Sequence, residues 1–311
     1  MKTTSLVLII KNNIPQVFML GFLGVMFCIA AIIDISPVFL FNDSIIRLVM
    51  NGVLVLSLLP MLNAGVGINY GLPVGIVAGL LGLCLAVNFY LKGLEGFFIA
   101  ILLAIPIAVV FGQAYARLLN WAKGKEEIAG IFIGFSFVFI MNFFWATAPF
   151  NNPQMLWPIG GQGLRPTIGL SNFFGRALTD LWVLEIGDLK LPLGLLSFFG
   201  FLCLMLYLFF KTKTGRAMLA VGENESFAQL SGINIKLMRT LAIILSTVLG
   251  AIGICVYAQS YGFLELYEAP LMMAFPAASA ILIGGSKGGK TFIMQVILGT
   301  YLFQTILILS T

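Results

Sequence analysis

The sequence predicts an all-α, polytopic helical membrane protein of about nine to ten transmembrane helices, and three observations carry that reading. Of its 311 residues, 60% are hydrophobic and 9% are charged, whereas a soluble domain carries about 25% charged residues. Apolar runs of spanning length recur along the whole chain, separated by short polar breaks. Within those runs polar and apolar residues do not alternate, as they would in barrel strands.

The runs fall near residues 14–35, 45–62, 72–90, 96–119, 128–147, 192–210, 240–258, 270–285 and 291–310. The first, Ile14 to Ile35, follows Lys2 and Lys11. It exceeds a signal-peptide core and lacks a small-residue cleavage site, so it reads as a retained span. The eighth is short enough to be either a span or a re-entrant segment. Charge sets the orientation. With the N-terminus inside, the inner loops hold Arg117, Lys123, Lys125, Lys211, Lys213, Arg216, Lys236, Arg239, Lys287 and Lys290. The outer connections hold Asp34, Asp43, Lys92, Glu95, Glu265 and Glu268 and a long segment, 148–191, of mixed charge. Trp121, Trp145, Trp157 and Trp182 lie at span ends or in loops, where interfacial anchors are expected. The chain reads as one transmembrane domain, 1–311, with an inner polar loop at 211–239 and the outer loop at 148–191.

Composition excludes several function classes. Histidine is absent, which removes the commonest general base and transition-metal ligand. Cys28, Cys84, Cys203 and Cys255 all lie in apolar runs and read as buried free thiols. The net charge of +5 reflects the lysine and arginine bias of inner loops, not a nucleic-acid partner. Span centres lack carboxylates, which disfavours a proton relay or ion-coupled carrier. Glu265 and Glu268 stand alone in a short loop and make no enzyme constellation.

The 211–239 loop is the place where charge, small residues and helix formers gather. Gly222 can break the chain before a short helix whose first turn holds Glu223 and Glu225, suited to the helix dipole. Phe227, Leu230 and Ile233 form one narrow apolar face, and Gly232 ends the helix. Physically this is either an interfacial connector or a docking element gripped by a partner.

Residues 220–235, Ala-Val-Gly-Glu-Asn-Glu-Ser-Phe-Ala-Gln-Leu-Ser-Gly-Ile-Asn-Ile, resemble the coupling-loop signature of bacterial ABC-importer permeases of the simple sugar, nucleoside and branched-chain amino acid branch. A small-residue patch, Ala278 to Gly289, is similar to a second family segment. The resemblance implies a permease of the bacterial cytoplasmic (inner) membrane, itself no enzyme. Its partners would be cytoplasmic ATPase subunits, a second permease (identical or paralogous), an extracytoplasmic solute-binding protein and membrane lipid. ATP and magnesium would sit on the ATPase chains, with no cofactor on this one. Gly222, Glu223, Asn224, Glu225, Phe227, Gly232 and Ile233 would form the coupling contact. A simple sugar or nucleoside is the first substrate reading, and a branched-chain amino acid the alternative. One departure is visible: Asn69 stands where sugar permeases of the branch often carry an acid.

Gly284 to Thr291 satisfies the phosphate-loop pattern G-x-x-x-x-G-K-[ST]. A strand before it and a magnesium-holding aspartate after it are both missing, because apolar runs flank it on each side. It reads as a tight basic turn. The solute pathway rests on neutral intramembrane amides, which can pair with hydroxyls or bases. Asn51, Asn63, Asn69, Tyr70 and Asn142 are the candidates. The stretch 63–75, with four glycines and Pro73, is expected to interrupt a helix.

Overall fold

The computed structural model describes residues 37–158, 161, 163–286 and 289–310, together with Gly21, Phe22, Gly24, Val25 and Cys28. The expected first span therefore falls almost wholly outside the described residues, as does Lys287.

Among the described residues, six helices are long and apolar enough to cross a membrane. They are α1 (Pro37–Leu56), α4 (Gly93–Trp121), α5 (Glu126–Thr147), α6 (Leu193–Lys211), α9 (Ile235–Tyr261) and α11 (Ile293–Ser310). Two shorter apolar helices complete the bundle, α3 (Leu72–Asn88) and α10 (Ala269–Ile283). Three small ones remain: α2 (Leu59–Asn63), α7 (Lys213–Glu223) and α8 (Glu225–Leu230). The expected span at 45–62 is thus longer and broken. The chain turns between Leu56 and Leu59, where Pro60 at the start of α2 has no N–H to continue the α1 ladder.

The all-α reading holds with a small exception, two short β pairs drawn from the segment around 148–192 and from the connection between α9 and α10. Strand β1 (Thr167–Gly169) pairs antiparallel with β4 (Phe263–Glu265), Thr167 opposite Glu265. Strands β2 (Val183–Ile186) and β3 (Leu189–Pro192) form a hairpin, Val183 opposite Pro192.

Helix α3 is the axis of the bundle. Nearly all of it is buried, from Leu72 to Val87. Such a helix, apolar all round, belongs inside other helices. Its glycines set the distance to α9: a Cβ on Gly75 would lie 2.6 Å from the Thr247 carbonyl, and one on Gly79 would overlap the Ala251 carbonyl. Small residues let backbones approach this closely, as in membrane bundles generally. By contrast α4, α5 and α6 turn Leu102, Val110, Phe139, Phe143, Phe201 and Leu208 outward, the face that lipid would cover.

Hydrogen bonds between distant loops define two ends. At one end Asn42 donates to the Asp188 carbonyl at 3.0 Å. There Gly93 N–H also meets Phe173 O at 2.8 Å, and Asn88 accepts from Asn151 N–H at 3.0 Å. At the other end Asn63 clasps Thr291, Glu127 accepts from Ile68 N–H at 3.3 Å, and Asn120 donates to Thr240 at 3.0 Å. Cations outnumber anions at the second end, where Arg117, Lys123, Lys125, Lys211, Lys213, Arg216, Lys236, Arg239 and Lys290 stand against Glu126, Glu127, Glu223 and Glu225. At the first end the balance is reversed, with Asp43, Glu95, Asp180, Glu185, Asp188, Glu265 and Glu268 against Arg47, Lys92, Arg165, Arg176 and Lys190. Helix α10 starts beyond β4 at the acidic end and leads into Thr291 at the basic end, so it crosses the bundle and is not re-entrant.

One expectation about tryptophan is overturned. Trp145 is fully buried, whereas Trp121, Trp157 and Trp182 are exposed. The Trp145 carbonyl accepts from Leu164 N–H at 2.9 Å, which draws the outer loop over the end of α5 and covers the ring.

Candidate functional site

The basic end is built around α7 and α8, and its local geometry differs from the expected single helix. Gly222 does not break the chain; it lies inside α7, and Glu223 closes that helix. Asn224 starts α8, its side chain accepting from Phe227 N–H at 2.9 Å, as an N-cap should. Glu225 alone occupies the first turn. Gly232 ends the segment at φ +78°, with Gly232 N–H to Gln229 O and Ile233 N–H to Ala228 O, both 3.0 Å. That pair of bonds is a Schellman cap, which wants a glycine at the left-handed position. Asn234 then caps α9, accepting from Leu237 N–H at 3.0 Å.

The expected apolar face is split. Ile233 lies past the helix end and is half-buried beside Val221, Ala228 and Met238. Phe227 and Leu230 point away from the bundle, 64% and 90% exposed. Two neighbouring apolar side chains thus stand in the open on a segment that its own caps hold rigid.

Gly222 anchors this segment to the transmembrane core. A Cβ there would overlap the Asn63 carbonyl and come within 3.0 Å of Gly65 N. Gly65 itself sits at φ +68°, its Cβ position 3.1 Å from Gly222 Cα. The two backbones therefore touch where α2 ends. Asn63 is buried there and makes a two-bond clasp, donating to Thr291 O at 3.1 Å and accepting from Thr291 N–H at 2.8 Å. The phosphate-loop-like turn is tied inward by the same residue: the Thr291 hydroxyl meets Ser286 Oγ at 2.8 Å. Its hydroxyl and amide are used within the chain, as a structural turn requires. Around the clasp, Lys290 pairs with Glu223 at 2.7 Å, Lys123 pairs with Glu225, and the buried Arg239 pairs with Glu126. A cavity of about 770 Å³ opens between α4 and α8, lined by Arg117, Trp121, Gln229 and Lys236.

The five candidate pathway residues do not converge. Asn69 is buried in a closed triad, donating to Ser246 Oγ at 2.8 Å and accepting from the Tyr115 hydroxyl at 2.9 Å. Tyr70 beside it packs its ring against Phe275, tilted by 45° with centroids 5.7 Å apart. Asn63 is spent on Thr291. Asn142 is half-buried, with its Oδ1 unpaired among the described residues. Asn51 donates to Arg47 O at 3.2 Å and faces a cavity of about 710 Å³ that opens at the acidic end.

That cavity holds what the sequence reading missed. Arg47, ion-paired with Asp43 at 2.9 Å, lines it together with Tyr257, Glu265, Glu268 and Gln304. Glu265 and Glu268 are therefore not alone; they share a vestibule with Arg47 and Arg176. The available signal was the spacing of Asp43 and Arg47, four residues apart on one helix face.

Residues 43–311 match the profile of a family described as the branched-chain amino acid transport system / permease component. The chain belongs to this permease family. Among curated relatives, the permease is 25% identical over 249 residues to the autoinducer 2 import system permease protein LsrC of Salmonella typhimurium, covering 79% of this chain and 63% of that one. It is 30% identical over 120 residues to the probable ABC transporter permease protein YphD of Escherichia coli, 38% of this chain and 36% of the relative. A stretch of 66 residues is 39% identical to the nucleoside ABC transporter permease protein NupC of Lactococcus lactis, 20% and 21% of the two chains. The permease thus spans less than two thirds of the length of the relatives it matches. No solved structure matches it.

Proposed function

We propose that this permease is the membrane-spanning subunit of an ATP-driven importer in the bacterial cytoplasmic membrane, moving a small polar solute of the sugar or nucleoside class. The observation that carries this reading is the basic end. A capped, rigid helix offers Phe227 and Leu230 to the surroundings while Gly222 presses its base against the break in the first described span. A partner that grips α8 from the cytosol can move α2 directly, because backbone contacts leave no slack to absorb the motion. ATP and magnesium belong to that partner, and this chain supplies alternating access without chemistry of its own.

The sidedness follows from charge: the basic end faces the cytosol and the acidic end faces out. The vestibule at the acidic end receives the solute from an extracytoplasmic binding protein, and a second permease, identical or paralogous, completes the pathway. The names of relatives that import autoinducer 2 and nucleosides support the polar-solute class. Branched-chain amino acids remain the second reading, favoured by one observation. Arg47 and Glu268 in one vestibule offer opposite charges to a zwitterion.

The deciding experiment couples reconstitution with a double substitution. Phe227→Ala with Leu230→Ala should abolish ATP-dependent uptake and co-purification of the ATPase subunits, while the chain still inserts and melts as the parent does. The purified chain alone should hydrolyse no ATP. Full uptake by the double variant, or uptake without any ATPase chain, would overturn the reading.

A further inference from the structure

At the basic end, between the close of α6 and the start of α11, lies a groove of about 620 Å³, lined by none of the exposed side chains of α8. Its walls are apolar, built by Phe210, Leu219 and Ile293. Three cations line the same groove: Lys211, Arg216 and Lys290. Beside it, Tyr207 and Met294 are exposed on the lipid-facing flank, 51% and 62%. From the geometry we infer that this groove is a binding site for an anionic phospholipid.

The argument is one of matching chemistry. An apolar slot can take acyl chain, and a cluster of cations at the membrane boundary can take a phosphate. Neither feature alone calls for a lipid; their juxtaposition does, because a soluble anion would gain nothing from the walls. The cations are also only lightly engaged. Lys211 rests 5.0 Å from the ring centre of Tyr207, an aromatic contact that a headgroup phosphate can replace. Among the described residues Arg216 makes no ion pair. Lys290 pairs with Glu223, and both partners are about half exposed. Long basic side chains lay their stems along apolar surface and keep the charge at headgroup depth, which suits all three. Lys290 links the site to the coupling segment, so an occupied groove competes with Glu223 for that cation.

This inference requires the chain to span a membrane and stands whether or not the import reading does. Native mass spectrometry of the purified full chain tests it directly, with phosphatidylglycerol and phosphatidylcholine as probes. Wild type should retain phosphatidylglycerol at least roughly tenfold better than phosphatidylcholine. Lys211→Gln with Arg216→Gln should erase that preference, the charge-keeping pair Lys211→Arg with Arg216→Lys should preserve it, and Lys236→Gln, outside the groove, should leave it unchanged. Equal retention of the two lipids by wild type would overturn the proposal, even if the double variant failed to fold. So would full displacement of phosphatidylglycerol by inorganic phosphate, which would make the walls idle. Photo-crosslinking from Leu219 should capture lipid; capture of an ATPase subunit in place of lipid would reassign the groove to a protein contact.

Discussion

The two ends of the bundle are built by opposite means. At the basic end the decisive contacts hold the main chain in place: Gly222 packs on the Asn63 backbone, the Asn63 side chain clasps the Thr291 backbone, and three caps fix α8 and its neighbours. At the acidic end the decisive features are charged and aromatic side chains around open space, Arg47, Glu268 and Tyr257 among them. In the proposed reading the first end transmits motion, which needs shape and stiffness, and the second admits solute, which needs polar groups facing a cavity. Substitutions of size should therefore act at the first end, and substitutions of charge at the second.

The largest effect expected is an exception that sharpens this contrast. Among the described residues, Arg239 and Glu126 form the one ion pair at the basic end with both partners nearly buried, 6% and 13% exposed. Arg239→Ala leaves a carboxylate without its cation, and should cost about 3–5 kcal/mol. A thermal melt of the variant should show it, with Arg239→Ala plus Glu126→Gln recovering part of the loss.

Next in size is Gly222→Ala. Alanine favours a helix interior over glycine by about 1 kcal/mol, so on propensity alone the change stabilises. The methyl group meets backbone that cannot rotate away, and overpacking of this kind costs about 1–3 kcal/mol. The clash should win. Uptake in a reconstituted system should fall severely, by tenfold or more, with insertion intact. A more stable, fully active Gly222→Ala would show that α7 is not pressed on the helix break.

Phe227→Ala and Leu230→Ala singly should leave the melting temperature of the isolated chain unchanged, because neither side chain is covered. Each should weaken ATPase binding by about 1–3 kcal/mol if it fills a pocket there, readable as partner retained on a column. The smallest effect is expected at the other end. Arg47→Gln removes a partly exposed ion pair worth about 0–1 kcal/mol, so stability should barely move. Transport should instead change in apparent solute affinity, by several-fold and without loss of partner binding. If Arg47→Gln lost the ATPase, or Phe227→Ala altered solute affinity alone, the division of labour between the ends would fail.

Much of the basic end was legible because its residues do local work. Gly232 as the terminating glycine and Glu225 in a first turn were both read from the sequence, whereas the N-caps Asn224 and Asn234 were not, although each obeys a rule about neighbours in sequence. Gly222 was misread as a breaker. Its reason is Asn63, far away in the chain, and nothing nearby in sequence states that contact. An interruption within 63–75 was anticipated from its glycines, and the chain leaves the helix over 64–71, yet the amide of Asn69 proved to be closed off by Tyr115 and Ser246. Composition says that a buried amide needs partners, not whether those partners are protein or solute. The vestibule escaped notice for a related reason. Its charges come from α1, the outer loop and the α9–α10 connection, which only the folded bundle brings together. Trp145 shows the same limit: a tryptophan near a span end resembles an anchor until a loop folds over it.

Trp121 supplies a native optical probe. It is 89% exposed and borders the cleft beside Gln229, one residue from Leu230. A protein seated on α8 would shield this indole from water and shift its emission toward the blue. Docking of such a partner can then be timed in unlabelled material, with the buried Trp145 and the exposed Trp157 and Trp182, at the other end, as the background.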